Sequence, residues 1–341
     1  MERIGVLGGG SWGTALSILL ANKGFDLDMW VRNKEQVITM NNTRENKRYL
    51  PDVKLPDGFK VSGDMEKTIH NKDVVLLTVP THGVREALSL AKNFINKNQI
   101  IVNVAKGIEN DSLMRISEIV KELLPENKYC VLSGPSHAEE VAINLPTTVV
   151  SASEHRDVAE YIQDLFTTPT FRVYTNPDIV GVELGGSLKN IIALGAGISD
   201  GLNYGDNAKA ALMTRGIIEI ARLGTKLGAD PNTFSGLSGI GDLIVTCTSM
   251  HSRNRRAGIL LGQGMSLEES VQKVGMVVEG IKTAKSAYKL SEKLNVEMPI
   301  TQEIYNVLYN GIEANEAVMR LMGRDKKHEM EDIAVNHDYN W

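Results

Sequence analysis

Gly8, Gly10 and Gly13 stand at G-x-G-x-x-G spacing near the start of the chain, with Gly9 between the first two. The run follows a short apolar segment, residues 4–7, and opens a stretch of helical spacing from Trp12. Glycines there permit a tight turn and close approach of a ligand, and the free N–H groups at a helix start hold a pyrophosphate. Ser11 and Trp12 lie inside the loop and are expected to touch a dinucleotide. An acidic residue about 20 positions on would bind a ribose 2′-OH. Arg32 stands there instead, 19 residues past Gly13, and Asp28 comes too early. A guanidinium at that place pairs with a 2′-phosphate and stacks on adenine. NADPH is therefore the expected coenzyme, with NADH as the alternative.

Four later clusters could act on a small anionic substrate. Lys106 follows an apolar run, residues 100–104, and is either a surface lysine or a cation at the carboxyl end of a strand, where ligands bind in open α/β sheets. Gly134 and Ser136 follow another such run. They either offer polar groups to a substrate or form a plain link in which Ser136 and Glu139 make a capping box. His137, in the same turn, reads as a local structural residue. Lys189 is the one lysine of a long apolar helical stretch that also contains Gly185 and Gly186. Burial would lower its pKa and suit acid–base work; the alternative is a lysine that snorkels to solvent. Asp242 borders a further apolar stretch and could hold a catalytic ammonium. Ser252, Arg253 and Asn254 could bind a phosphate, or the Arg253, Arg255 and Arg256 run could be a solvated face. Cys247 has no nucleophilic partner in sight and reads as buried.

These residues need a scaffold. Apolar runs at 4–7, 27–31, 74–79, 100–104, 129–132 and 147–151 alternate with helical spacing at 12–22, 84–94 and 112–124. Runs that are apolar throughout suit strands covered on both faces, and the alternation implies a doubly wound, Rossmann-type parallel sheet. Beyond about residue 180 only helical patterns appear, at 181–198, 209–227, 266–274, 283–294 and 300–309. The expected architecture is an α/β dinucleotide-binding domain over 1–180 and an all-α substrate domain over 181–341. The 341 residues carry 37 Lys+Arg against 42 Asp+Glu, a net charge of -5, which argues against nucleic acid or a membrane surface as partner. Two cysteines exclude a disulfide framework. No apolar run approaches the roughly 18 residues of a membrane helix. Met1-Glu2-Arg3 leads directly to the glycine loop, so no secretory signal is expected, and the chain reads as cytoplasmic. No metal site is expected. The charged tail, 324–341, with His328 and His337, reads as a solvated, mobile end.

Taken together the clusters resemble the bacterial NAD(P)-dependent glycerol-3-phosphate dehydrogenases. The likeness rests on Gly8 to Ala15, Ser133-Gly134-Pro135-Ser136, Glu183-Leu184 through Lys189-Asn190, Gly241-Asp242-Leu243, Ser252-Arg253-Asn254-Arg255 and Val277-Val278-Glu279-Gly280, in the family's order. The resemblance implies Lys189 as proton donor and acceptor at the substrate oxygen, supported by Asp242 and Asn190, with Thr246 placing the substrate. It implies that Lys106, Gly134, Ser136, Ser252, Arg253 and Asn254 bind dihydroxyacetone phosphate or sn-glycerol 3-phosphate. It implies that Ser11, Trp12, Arg32, Lys106, Ala138, Arg253, Val277 and Glu279 bind the dinucleotide. Glu279 would otherwise read as a plain surface carboxylate. A homodimer and a role in phospholipid synthesis are further implications. Two rivals remain: a hydroxyacid or 6-phosphogluconate-type dehydrogenase of the same layout, and a non-catalytic NADPH sensor.

Overall fold

The computed structural model describes residues 2–326 and 329. Eight strands form one sheet: β1 (Arg3–Leu7), β2 (Asp26–Trp30), β3 (Lys60–Ser62), β4 (Val74–Leu77), β5 (Ile100–Asn103), β6 (Tyr129–Ser133), β7 (Thr147–Ala152) and β8 (Phe171–Asn176). Their order is β8-β7-β6-β5-β4-β1-β2-β3. The chain steps outward from β1 to β2 and β3, then returns to β4 on the other side of β1. This reversal places a crevice outside the carboxyl ends of β1 and β4, where open α/β sheets bind ligands. β4 and β6 are buried at every position, as strands covered by helices on both faces must be.

Three features of the sheet depart from expectation. β7 runs antiparallel to β6, and β8 follows β7 in parallel. The segment 134–146 holds only the short helix Ala138–Ala142, so the chain turns back at the carboxyl end of β6 and makes no crossover to the other end. β8, not among the expected strands, lies at the edge and alternates buried Phe171 and Val173 with exposed Arg172 and Tyr174. β3, three residues long, was too short to be expected. Helices Lys34–Thr43, Arg156–Phe166, Asp242–Thr248, Arg253–Gly262 and Ala314–Met322 add to those expected.

After β8 only helices follow among the described residues. Their centre is the 23-residue helix Ile179–Gly201, buried along almost its whole length. By length and composition it could cross a membrane, although no uninterrupted apolar run of that size occurs in the sequence. The rest of the protein buries 94% of its apolar window, which makes it a core helix. Helix Arg253–Gly262 lies directly against it. A Cβ on Gly197 would collide with the Arg255 carbonyl oxygen, and one on Gly258 with that of Leu194. Gly201 and Gly262 repeat the contact a turn further on. Small residues at this seam let the two backbones touch. The tail, with His328 and His337, lies outside the described residues apart from Arg324, Asp325, Lys326 and Glu329.

Candidate active site

The glycine loop joins β1 to helix Ser11–Asn22. Gly8 has a φ of 121°, which favours glycine, and a Cβ there would sit 2.9 Å from Val79 N at the end of β4. A Cβ on Gly13 would lie 2.6 Å from the Gly8 carbonyl oxygen, so the helix starts tight against the loop. Gly10 faces open space, and as N-cap it offers no side chain to the first turn. The free N–H groups therefore face a space that a pyrophosphate would fill, and the loop fits a dinucleotide. Trp12 Nε1 is buried with no hydrogen-bond partner among the described residues.

A second layer holds the loop, and sequence reasoning missed it. Thr78 Oγ1 donates to Gly8 O at 2.7 Å; Asn46 Nδ2 donates to Gly9 O at 2.9 Å, as does Gln36 Nε2 at 2.7 Å. Asn46 sits on a two-residue strand, with no motif to mark it. Arg32 follows β2 with its side chain 80% exposed and, among the described residues, a 3.7 Å contact to Glu86 as its ion pair. The Asp28 carboxylate is engaged by Lys72 and is not available to a ribose.

A cavity of about 520 Å³ runs from this loop to the helical half. Gly8, Gly10, Ser11, Trp12, Arg32, Lys106, Ser136, Ala138, Lys189, Asn190, Thr246, Ser252, Arg253, Asn254, Val277 and Glu279 line it. Gly13, Gly134 and Asp242 stand behind the wall. A more open groove of about 770 Å³ lies between the β8 edge and residues 228–238. There the Asp178 carboxylate is occupied by the N–H groups of Gly181 and Asp230 and by the Thr233 hydroxyl, a structural knot.

Lys189 is 5% exposed. Its Nζ donates to Asp242 Oδ1 and, at 2.5 Å, to Thr246 Oγ1. Thr246 Oγ1 donates in turn to the Asp242 carbonyl at 2.6 Å, which leaves its lone pairs toward the ammonium. Lys106 Nζ donates to Asp242 Oδ2 at 2.7 Å and to Gly134 O at 2.9 Å. One buried carboxylate therefore holds two lysines. Burial lowers the Lys189 pKa to about 8; Asp242 opposes the shift and Lys106 adds to it. The two interior glycines explain the geometry. Gly185 admits the Ser238 carbonyl, 2.5 Å from where a Cβ would be, which brings the turn before Asp242 against the helix. Gly186, one turn from Lys189, admits Ser133 Oγ and the Lys106 chain. The snorkelling and surface-lysine alternatives are both excluded.

Other expectations need correction. Ser136 is not an N-cap: His137 holds that position, and Ser136 Oγ donates to Gly134 O at 2.9 Å. No capping box forms there, because the helix starts a residue later than the pattern suggests. The arginine run is no solvated face, since Arg255 pairs with Asp200 at 2.7 Å. Ser252 caps that helix by accepting from Arg255 N at 3.2 Å. The Asn254 amide donates to Asn190 Oδ1 and accepts from Gly280 N, both at 2.9 Å, so much of its capacity is structural. Glu279 is not a plain surface carboxylate: burial raises its pKa, and it accepts from Thr81 N at 3.3 Å across the cleft. Cys247 is fully buried with its pKa pushed up to about 12, an inert thiol. No group of three or more metal-ligating side chains occurs among the described residues.

Two family models match. Residues 3–159 fit the NAD-dependent glycerol-3-phosphate dehydrogenase N-terminus, and residues 178–319 fit the C-terminus of the same family. The chain belongs to that family. It is 55% identical to the glycerol-3-phosphate dehydrogenase [NAD(P)+] of Bacillus subtilis (strain 168), over 98% of this chain and 97% of the relative. It is 56% identical to the enzyme of that name from Thermoanaerobacter sp. (strain X514), over 97% of this chain and 100% of the relative. The crystal structure of glycerol-3-phosphate dehydrogenase from Coxiella burnetii superposes with a TM-score of 0.92 at 38% identity, covering 95% of this chain and 99% of that one. A ketopantoate reductase from Ralstonia eutropha JMP134 shares the fold alone, with a TM-score of 0.60 at 13% identity. Membership in the glycerol-3-phosphate dehydrogenases agrees with the order in which Gly8, Lys106, Lys189, Asp242 and Arg253 occur along the chain and converge in space.

Proposed function

We propose that the protein reduces dihydroxyacetone phosphate to sn-glycerol 3-phosphate, reversibly, with NADPH or NADH. The observation that carries this reading is the buried Lys189 ammonium, held by Asp242 and Thr246 in the wall of a cavity that begins at a dinucleotide loop. The reduced nicotinamide supplies the hydride when bound. Lys189 donates its proton to the carbonyl oxygen as the carbonyl carbon is reduced, and takes it back in the reverse direction. Asp242 fixes the lysine and Asn190 supports the same wall. Lys106, Gly134, Ser136, Ser252, Arg253 and Asn254 form the polar surround for the phosphorylated triose, with Arg253 as the bidentate group. Phosphate anchoring away from the reacting carbon orients the carbonyl. Ser252 to Asn254 favour a triose phosphate over a hydroxyacid. Mixing the protein with NADPH and dihydroxyacetone phosphate should consume the reduced coenzyme; consumption only with a keto acid, or none at all, defeats the reading.

Arg32, Trp12, Ala138, Val277 and Glu279 complete the dinucleotide side. The exposed Arg32 guanidinium supports a preference for NADPH. Arg32→Asp should raise KM for NADPH at least about tenfold while leaving KM for NADH nearly unchanged, since a charge-assisted bond to the 2′-phosphate is worth roughly 1.5–3 kcal/mol. Equal effects on both coenzymes would remove the assignment. The reading also includes a division into domains at about residue 180, a homodimer in the cytoplasm, no nucleic-acid partner or membrane insertion, and supply of glycerophospholipid synthesis.

A further inference from the structure

His137 stands in the wall of the same cavity, between Ser136 and Ala138 in the turn after β6. Its ring packs against that of His251, with centroids 5.7 Å apart and planes tilted by 51°. It therefore stands beside the segment that begins with Ser252 and Arg253. As N-cap of Ala138–Ala142 it makes no side-chain bond to the helix, so capping does not explain it. Nε2 is buried with no hydrogen-bond partner among the described residues. Buried polar atoms without partners are uncommon in native proteins and mark a functional or ligand-dependent role.

The charge around the ring is also informative. Burial and the neighbouring Lys189 and Lys106 push its pKa below the ordinary value, against Glu139 and Glu140, so the imidazole is neutral at pH 7. A neutral ring still donates one hydrogen bond. It does so without adding a third cation beside Lys106 and Lys189, which would push the Lys189 pKa further down. The ring's χ2 torsion is broad, so the ring can turn within the cavity wall that it lines.

We propose that His137 recognises the substrate phosphate: its imidazole donates an Nε2–H hydrogen bond to the phosphoryl group that Arg253 anchors. This rests on the triose phosphate reading above and deepens it.

His137→Phe keeps a flat ring and removes both nitrogens. It should raise KM for dihydroxyacetone phosphate about ten- to hundredfold, the worth of a hydrogen bond to a charged group, with kcat within about threefold of wild type. The inhibition constant of inorganic phosphate, competing with substrate, should rise by the same factor. NADPH binding, followed by its fluorescence, should stay within about twofold. His137→Gln, which keeps an N–H donor, should recover much of the loss. Should H137F not fold, H137A removes the same donor without added bulk and is read in the same way. A KM and a phosphate inhibition constant within about twofold of wild type overturn the proposal, and so does a fall in kcat at unchanged KM. Wild-type protein that fails to consume NADPH with dihydroxyacetone phosphate overturns the underlying reading, and the proposal with it. An active wild type beside an unaltered H137F overturns the proposal alone.

Discussion

Lys189→Ala should lower kcat for dihydroxyacetone phosphate reduction about a thousandfold, within the usual range for loss of a positioned acid. The variant should still fold. Asp242 keeps Lys106 as partner at 2.7 Å, so removing Lys189 leaves no bare buried carboxylate. NADPH binding should persist, because the glycine loop and its bracing residues make no contact with the lysine, which bonds only Asp242 and Thr246 among the described residues. The wild type should carry a pH signature of the same group. Reduction needs the ammonium, and its pKa is lowered to about 8. The kcat/KM for reduction should therefore be level below pH 8 and fall above it, whereas oxidation of glycerol 3-phosphate should rise toward pH 8. The alanine variant should lose that inflection in both directions. Turnover above about a tenth of wild type, or an inflection that survives, would end the assignment of Lys189.

Asp242→Asn should be nearly as damaging, for a different reason. The carboxylate is 1% exposed and holds both Lys106 and Lys189. An amide of the same shape cannot balance two cations at a position so deeply buried. Asp242 is the largest contribution that keeps the Lys189 proton on, so the lysine should titrate at a lower pH. At pH 7.5 most of the enzyme would then lack its proton donor. We expect a loss of about a hundredfold or more in kcat/KM for reduction, with the remaining activity shifted toward acid. Breaking a buried pair also costs about 3–5 kcal/mol of stability, so thermal unfolding should move down. Unchanged activity with an unshifted profile would show that Asp242 does not govern Lys189.

What could be read from the sequence had contiguity in common. The glycine loop is a local turn between a strand and a helix, and its glycines stand within six positions, whereas Gln36, Asn46 and Thr78, which brace it from a distance, went unread. Lys189 stood out because one charge in a long apolar helix calls for an explanation. The shared carboxylate could not be read, since Asp242 meets Lys189 across 53 positions and Lys106 across 136. The support of Lys189 by Asp242 was expected; that the same carboxylate also holds Lys106 belongs to the fold. The direction of β7 was equally hidden, because an apolar strand does not record which way it runs. Ser136 and Glu139 show the opposite failure, a local signature present in the sequence and unused in the structure. Glu279 was misread because helix starts are usually wet, and here the Thr81 turn from the other half covers it.

The glycine seam between Ile179–Gly201 and Arg253–Gly262 has a mechanical meaning. Lys189 rides on one helix, and Ser252 and Arg253 stand at the start of the other. Backbones in direct contact through Gly197, Gly201, Gly258 and Gly262 have no side-chain layer to shear. The span between the proposed proton donor and the proposed phosphate anchor is therefore rigid, like the jaws of a locked caliper. The dinucleotide loop belongs to the sheet, on the other side of the cleft. A movement of the sheet relative to these helices would thus change the approach of the hydride, and of Lys106, Gly134 and Ser136, while leaving the registration of Arg253 against Lys189 untouched.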